Sequence, residues 1–459
     1  MSTGDGRTPP EDPRELDRRY VWHPLTQHAG LDAEPLLMVV AAQRHVVIDD
    51  AGRAYLDAMA GLWCVQAGYG RTEIAEAVHR QMRRLAYYPH TQANAPAAEL
   101  AARLARLLGG RLRRTYFTAS GSEANEAAFK ISRQYHLQRG EGRRYKILGR
   151  HYAYHGTTLA TLAAGGMAAR AERFEPLPGG FVRVVAPYCY RCPFGLAYPS
   201  CGVACARQVE EVLRSEGPGT VAAMVLEPVQ SAAGVLVPPR EYLPMVAEAC
   251  RRHGVLLIVD EVINGFGRTG RMFAHQWYGV EPDLVTMAKG LTSAYVPMAA
   301  VTATDEVFSA FLGAPGSGRE AVQVSTFGGH PVAAAAALAN LDILERERLA
   351  ENAREVGAYL LEKFEGLRRH AAVGDVRGIG LLLAVELVAD RASRRPLEEA
   401  LAAQVVRDCL EAGVIVGRTV RTYHGGGHTL TFAPPLIWTR EEADELVAAL
   451  DRALRRLEA

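Results

Sequence analysis

Between residues 221 and 304 the chain repeatedly changes its hydrophobic period. "VAAMVLEPV" (221–229) is a continuous aliphatic run, "REYLPMVAEACRRHG" carries apolar residues at helical spacing, and "GVLLIVDEV" (254–262) is aliphatic again. "PDLVTMAKG" (282–290) and "YVPMAAVTAT" (295–304) extend the series. Apolar runs without alternation suit strands covered on both faces, and helices between them favour parallel pairing. The expectation is therefore an α/β fold with a mostly parallel central sheet. In such sheets functional groups gather beyond the carboxyl ends of the strands. Glu227, Asp260 and Lys289 each stand at the end of one of these runs.

A different pattern follows. Residues 331–370 are rich in Ala and Leu with charges at helical spacing, which predicts a long connecting helix and then another. "VGDVRGIGLLLAVELV" reads as two strands around a Gly-rich turn, and "EEALAAQVVRDCLEAG" as a helix with a glycine stop. "TLTFAPPLIW" is strand-like, and the last helix starts with Thr439 as its cap. "HVVIDDAGRAYLDAMAG" (45–61) predicts a hairpin turning at Asp50–Gly52. These pieces suggest a smaller α+β domain built from both ends of the chain, residues 21–74 and 341–459, beside a larger domain at 75–340. The polar, Pro-rich residues 1–20 read as a flexible lead-in.

With 459 residues, 49% of them hydrophobic and 22% charged, the chain is long enough for two lobes of ordinary globular composition. A net charge of +1 gives no bulk attraction to nucleic acid or to a membrane surface. No apolar run approaches a membrane span, and the N-terminus lacks the apolar core of a signal peptide, so the expected location is cytoplasmic. Seven cysteines, an odd number, argue against a complete disulfide framework. Four of them, Cys189, Cys192, Cys201 and Cys205, fall in "YCYRCPFGLAYPSCGVAC". Two close pairs are compatible with a small zinc loop, although the gap between them is short and no histidine joins them, and equally with buried or redox-active thiols.

Lys289 is a single cation in the apolar stretch "LVTMAKGLTSAYVPM". Such a lysine either snorkels out of a loop or is a desolvated amine kept for covalent chemistry. Three other segments bear on the choice. "TASGSEANEAAFK" (118–130) is a Gly/Ser turn entering a helix, where Gly121 permits close backbone approach and Ser122 can cap; a helix N-terminus of this kind suits a phosphate. "HYAYHGTT" (151–158) sets Tyr154 and His155 beside a glycine, so that an aromatic ring could cover a flat heterocycle. In "VDEVINGFGRTG" (259–270) Asp260 ends an apolar strand, where a carboxylate is costly unless a cation meets it. A protonated pyridine nitrogen is one such cation. The parts fit pyridoxal 5'-phosphate, with Lys289 as the Schiff-base lysine.

"LEPV", "VDEVINGFGRTG", "AKGLTSAY" and "STFGGHP" resemble the class III (subgroup II) aminotransferases of fold type I, and the resemblance runs from "YVWHP" (20–24) to "FAPPLIW" (432–438). It implies that Lys289 bonds to the cofactor and moves the proton, that Asp260 pairs with the pyridinium, and that Val262 packs on the ring face opposite Tyr154. It further implies that Gly121 and Ser122 bind the phosphate, that Glu227 lies near the cofactor's edge, and that Thr326 reaches the phosphate in a neighbouring subunit. A homodimer with shared active sites, or a tetramer, is thereby expected. The rivals are an aminotransferase of the same class acting on a diamine or a biosynthetic intermediate, an aminomutase or decarboxylase of the same fold, and a binding protein with a retired site.

"GLWCVQAGYG" (61–70) and "YYPHTQANAPA" (87–97) are similar to the pyruvate-dependent omega-aminotransferases, especially those acting on taurine. The implied partners are a small amine donor (taurine, β-alanine or a relative) and a keto acid acceptor, pyruvate. Trp22, Trp63 and Tyr88 are candidate pocket walls. Arg418, or else Arg421, is the candidate partner for the acceptor's carboxylate.

Overall fold

The computed structural model describes residues 12–419 and 427–458. Its centre is a seven-stranded sheet in the order Leu112–Thr118, Ala299–Thr304, Leu284–Met287, Leu256–Asp260, Val221–Leu226, Lys146–Arg150 and Phe181–Val184. Only Ala299–Thr304 runs antiparallel to its neighbours; the other adjacent pairs are parallel. Val221–Leu226 and Leu256–Asp260 are buried at every residue. That explains their unbroken aliphatic sequence, since helices cover both faces of the sheet. One face packs against Gly121–Gln138 through Ala124, Ala127, Ala128 and Phe129; the other packs on Ala204–Glu216 and Tyr242–Arg252 through Val209, Leu213 and Val246.

Two smaller sheets join the ends of the chain. The hairpin Val46–Asp49/Ala54–Asp57 turns as expected, and Ala54–Asp57 then pairs in parallel with Val414–Ile415 from near the C-terminus. Val373–Ile379 pairs antiparallel with Leu382–Asp390, which continues to Thr429–Phe432 and then to Gly417–Arg418. The helices Pro331–Arg346 and Leu349–Gly366 connect the lobes. This is the expected α/β fold, a mostly parallel sheet beside a smaller α+β part.

Local differences from the sequence reading have local causes. Within the expected lead-in, Pro13–Tyr20 is a helix capped by Asp12 with proline at its first position, and Arg14 ties it to Asp50 at 2.5 Å. The cap of Gly121–Gln138 is Ser120, whose Oγ accepts the Glu123 N–H at 3.2 Å; it is not Ser122, which lies inside the first turn. Among the described residues no helix is long and apolar enough to cross a membrane.

Candidate active site

Eight of the residues singled out above, Gly121, Ser122, Tyr154, His155, Glu227, Asp260, Val262 and Lys289, line one cleft of about 90 Å³ beyond the carboxyl ends of the central strands. Asn125, Gly156 and Ile263 complete its wall. A larger cleft of about 610 Å³ lies at the opposite strand ends, around Glu141, Arg144 and Asp283. Its Arg144 is already committed to Glu141 and to the Pro218, Val221 and His253 carbonyls, and no lysine enters it.

Asp260 is buried, yet among the described residues no lysine or arginine pairs with it. Its Oδ2 accepts from Asn125 Nδ2 and from His155 Nδ1, both at 2.8 Å, and its Oδ1 accepts the Val262 N–H at 3.0 Å. Asn125 is held in turn by Thr286, whose hydroxyl donates to Asn125 Oδ1 at 2.9 Å. Because the carboxylate can only accept, His155 carries its proton on Nδ1; its Nε2 is buried without a partner. This network orients the carboxylate and leaves it short of a cation. A cationic heterocycle in the cleft would supply one.

Glu227 is the second buried carboxyl. It accepts the Tyr154 N–H at 3.2 Å and the Ser231 N–H at 3.1 Å. Burial, reinforced by the Asp260 charge, pushes it up to about 7, even with His155 and Arg150 pulling the other way. Arg150, itself fully buried, donates to the Glu227 carbonyl and so fixes the end of that strand.

Lys289 follows the strand Leu284–Met287 and adopts a left-handed backbone conformation, φ 46°. For a long side chain this costs energy and persists only where the surroundings impose it, most often at functional sites. Among the described residues Lys289 makes no hydrogen bond or ion pair, so its amine remains available in the cleft. Across the cleft, Ser122 Oγ accepts the Thr157 N–H at 3.1 Å, which anchors the turn after His155 to the helix. A Cβ on Gly121 would stand 3.0 Å from Val262 Cγ1, so glycine keeps this corner open. A Cβ on Gly156 would run into Ser122 Oγ. Tyr154 is braced from behind by the Arg170 guanidinium, 5.0 Å from its ring centroid.

The remaining candidates lie elsewhere in this chain. Trp63 is half-buried, packs on Val229, Val235, Leu382, Ala384 and Ala433, and leaves its Nε1 buried without a partner. Trp22, Tyr88 and Thr326 are exposed and outside the cleft. Arg418 is bonded to Glu399 at 3.1 Å and to the Gly427 carbonyl at 2.7 Å, and does not enter the cleft. Arg421 falls outside the described residues. Sequence reasoning missed the role of Asn125. Its signal was a polar residue one turn after Gly121 on an otherwise alanine-rich helix face.

A mostly parallel sheet ending in an unpaired lysine, an uncompensated carboxylate and a glycine-lined helix start defines the class of lysine-dependent pyridoxal phosphate enzymes. The comparisons narrow the class. Residues 29–454 match the model of the family "Aminotransferase class-III". The chain is 42% identical to the taurine–pyruvate aminotransferase of Bilophila wadsworthia (strain 3_1_6), over 96% of this chain and 97% of that one. It is 37% identical to the putrescine–pyruvate aminotransferase of Pseudomonas aeruginosa, over 96% and 95% respectively. Among solved structures, an (S)-enantioselective omega-transaminase from Thermomicrobium roseum superposes with a TM-score of 0.91 at 43% identity, covering 97% and 98% of the two chains. The chain belongs to the class-III aminotransferases. It is a transaminase that uses pyridoxal phosphate.

Proposed function

We propose that this chain transfers an amino group from a small primary amine, taurine or β-alanine, to pyruvate, giving an aldehyde and alanine. The observation that carries the reaction type is the single unpaired lysine facing an uncompensated aspartate in one cleft. The acceptor is supported by relatives that share pyruvate in their names while differing in the amine. The diamine putrescine is a second donor reading, favoured by the Pseudomonas aeruginosa relative.

Bound pyridoxal phosphate supplies an aldehyde that takes up amino groups and a pyridinium that accepts the electrons released as a C–H bond breaks. The rest falls to side chains. Lys289 would tether the cofactor at rest, and its Nζ, once freed by an incoming amine, would be the group placed to take and return the proton. Asp260, oriented by Asn125 and His155, would keep the ring nitrogen protonated. Gly121 and Ser122 would hold the phosphate at the helix start, Tyr154 and Val262 would enclose the ring, and Glu227 would stand beside it as a supporting carboxyl. Trp63 walls the substrate space and limits the donor's bulk. Arg418 or Arg421 binds the acceptor's carboxylate, and in this chain Glu399 and Gly427 hold Arg418 aside.

Thr326, Trp22 and Tyr88 act at the site of a second copy, in a homodimer that forms around both clefts. The exposed apolar side chains flanking Thr326 support this, with Val322 80% and Val324 76% exposed. The test of the substrate pair is steady-state formation of alanine from taurine and pyruvate. Alanine from other amines but not from taurine would sink the donor, and an unchanged KM for pyruvate in both Arg418→Ala and Arg421→Ala would sink the anchor.

A further inference from the structure

The transaminase reading leaves one group of reactive side chains unused. Cys189, Cys192, Cys201 and Cys205 all line a single small cavity of about 20 Å³, otherwise walled by apolar and aromatic groups such as Phe194, Leu196 and Val203. None is disulfide-bonded; Cys189 is exposed and the other three are half-buried. Their charges would sense one another: Cys189 is influenced by Cys192 and Cys201, and Cys205 by Cys189 and Cys192. Four thiols from a 17-residue stretch therefore border one cavity. Among the described residues no three His, Cys, Asp or Glu side chains are placed to hold a metal ion. Thiol chemistry is what the arrangement suits.

Backbone geometry singles out one pair. Cys189–Arg191 is a 3₁₀ turn with Cys192 as its C-cap, so Cys189 and Cys192 stand in i, i+3 relation across a tight turn. The ends of such a turn lie within about 7 Å, and a disulfide accepts Cα separations of about 4.4–6.8 Å. The turn is fixed by bonds to Leu382–Asp390 and the residues just after it. Arg191, between the two cysteines, donates through Nε to Glu386 at 2.6 Å and through Nη1 to the Arg394 carbonyl at 2.5 Å. The Tyr188 hydroxyl also donates to Glu386, and Arg394 donates to the Tyr190 carbonyl. Glu386 lies on Leu382–Asp390, two strands from Arg418. The cysteine loop is thus the clasp between the central sheet's lobe and the smaller lobe.

We propose that Cys189 and Cys192 are a modification site that closes to a reversible disulfide by exchange with a small-molecule disulfide. The Cys189 thiolate attacks one sulfur of the small disulfide, whose S–S bond breaks and releases one thiolate. The Cys192 thiolate then attacks the Cys189 sulfur and releases the second. Two protein thiols are oxidised, one external disulfide is reduced to two thiols, and the two protein-derived protons leave with them. Cys189, the exposed member, is the point of entry. Its side chain is reachable, but desolvation of the sulfur by the surrounding loop, and then the charges of Cys192 and Cys201, raise its thiol above the ordinary value, so little thiolate is present at neutral pH and the exchange is slow.

The test uses the full-length holoenzyme equilibrated in glutathione buffers from fully reduced to fully oxidised, quenched in acid, alkylated under denaturation and mapped by peptide mass. The expected result is loss of two of the seven thiols in one step, with the 189–192 peptide two hydrogens lighter and restored by dithiothreitol. Cys192→Ser should stop at a glutathione adduct on Cys189, while Cys201→Ser should leave the internal disulfide intact. Survival of all seven thiols in excess oxidised glutathione would overturn the proposal. So would adducts without ring closure in the unsubstituted protein, or stoichiometric zinc that keeps the four thiols reduced.

Discussion

Lys289 and Asp260 divide the chemistry at the scale of single residues, and their surroundings say why each is the residue type it is. Replacing Lys289 with Ala removes the only lysine among the described residues lining the cleft and keeps the left-handed backbone, which only glycine would relieve. Turnover should fall to background while the far-UV circular dichroism and melting temperature stay close to those of the parent. A Lys289→Ala protein that transaminates near the parent rate would remove the lysine from the mechanism. Glu227 offers a pH test. Its folded value of about 7 lies above the ordinary 4.5, so between those values the folded protein binds more protons than the unfolded chain. Stability of the apoprotein is therefore undiminished by this group below about pH 4.5 and falls as pH rises to 7, by roughly 3 kcal/mol in all. Glu227→Gln should flatten the dependence of the urea midpoint on pH across that window; an unaltered slope would place the loss elsewhere. At this scale the sequence exposes a charge out of context, as with Lys289 in its apolar run. It hides Asn125, because the partners that give it a role stand 135 and 161 positions away.

Elements were legible where their own period decides them. The hairpin at 45–61, the long helices after Pro331 and the aliphatic strands of the central sheet all follow from local spacing and turn residues. Cap assignment was less secure, since "SGS" offers two serines and only the helix register distinguishes them. The consequence is measurable. Ser120→Ala should cost about 1 kcal/mol through the lost bond to the Glu123 N–H. Ser122→Ala, with no capping role, should instead weaken cofactor retention, read as release of pyridoxal phosphate on dialysis. Equal effects of the two changes on thermal stability would contradict the assignment. Strand order was not legible, because nothing local tells Ala299–Thr304 to insert antiparallel between Leu112–Thr118 and Leu284–Met287. Pairings of that range are decided by the assembled sheet.

On the scale of the whole molecule, the cleft sits where the central sheet ends, while several residues linked to it by family resemblance sit on this chain's outer surface. Trp22 is 91% exposed, an unusual state for a tryptophan that nothing covers. Sedimentation equilibrium should give about twice the 49.8 kDa chain mass, and a charged replacement at Val324 should shift it toward the monomer with loss of activity. A fully active monomer would confine the site to one chain. The surface roles proposed for these residues could not be derived from periodicity, which reports what a chain buries in itself and not what a second copy would cover. The central claim is that one cleft carries two half-reactions, and visible absorbance of the holoenzyme tests it most directly. Mixed with an amine donor and no keto acid, the yellow protein should lose its colour with one aldehyde released per site, and pyruvate should restore the colour with formation of alanine. Colour unaffected by every amine tried, or aldehyde produced beyond one per site without any acceptor, would contradict it.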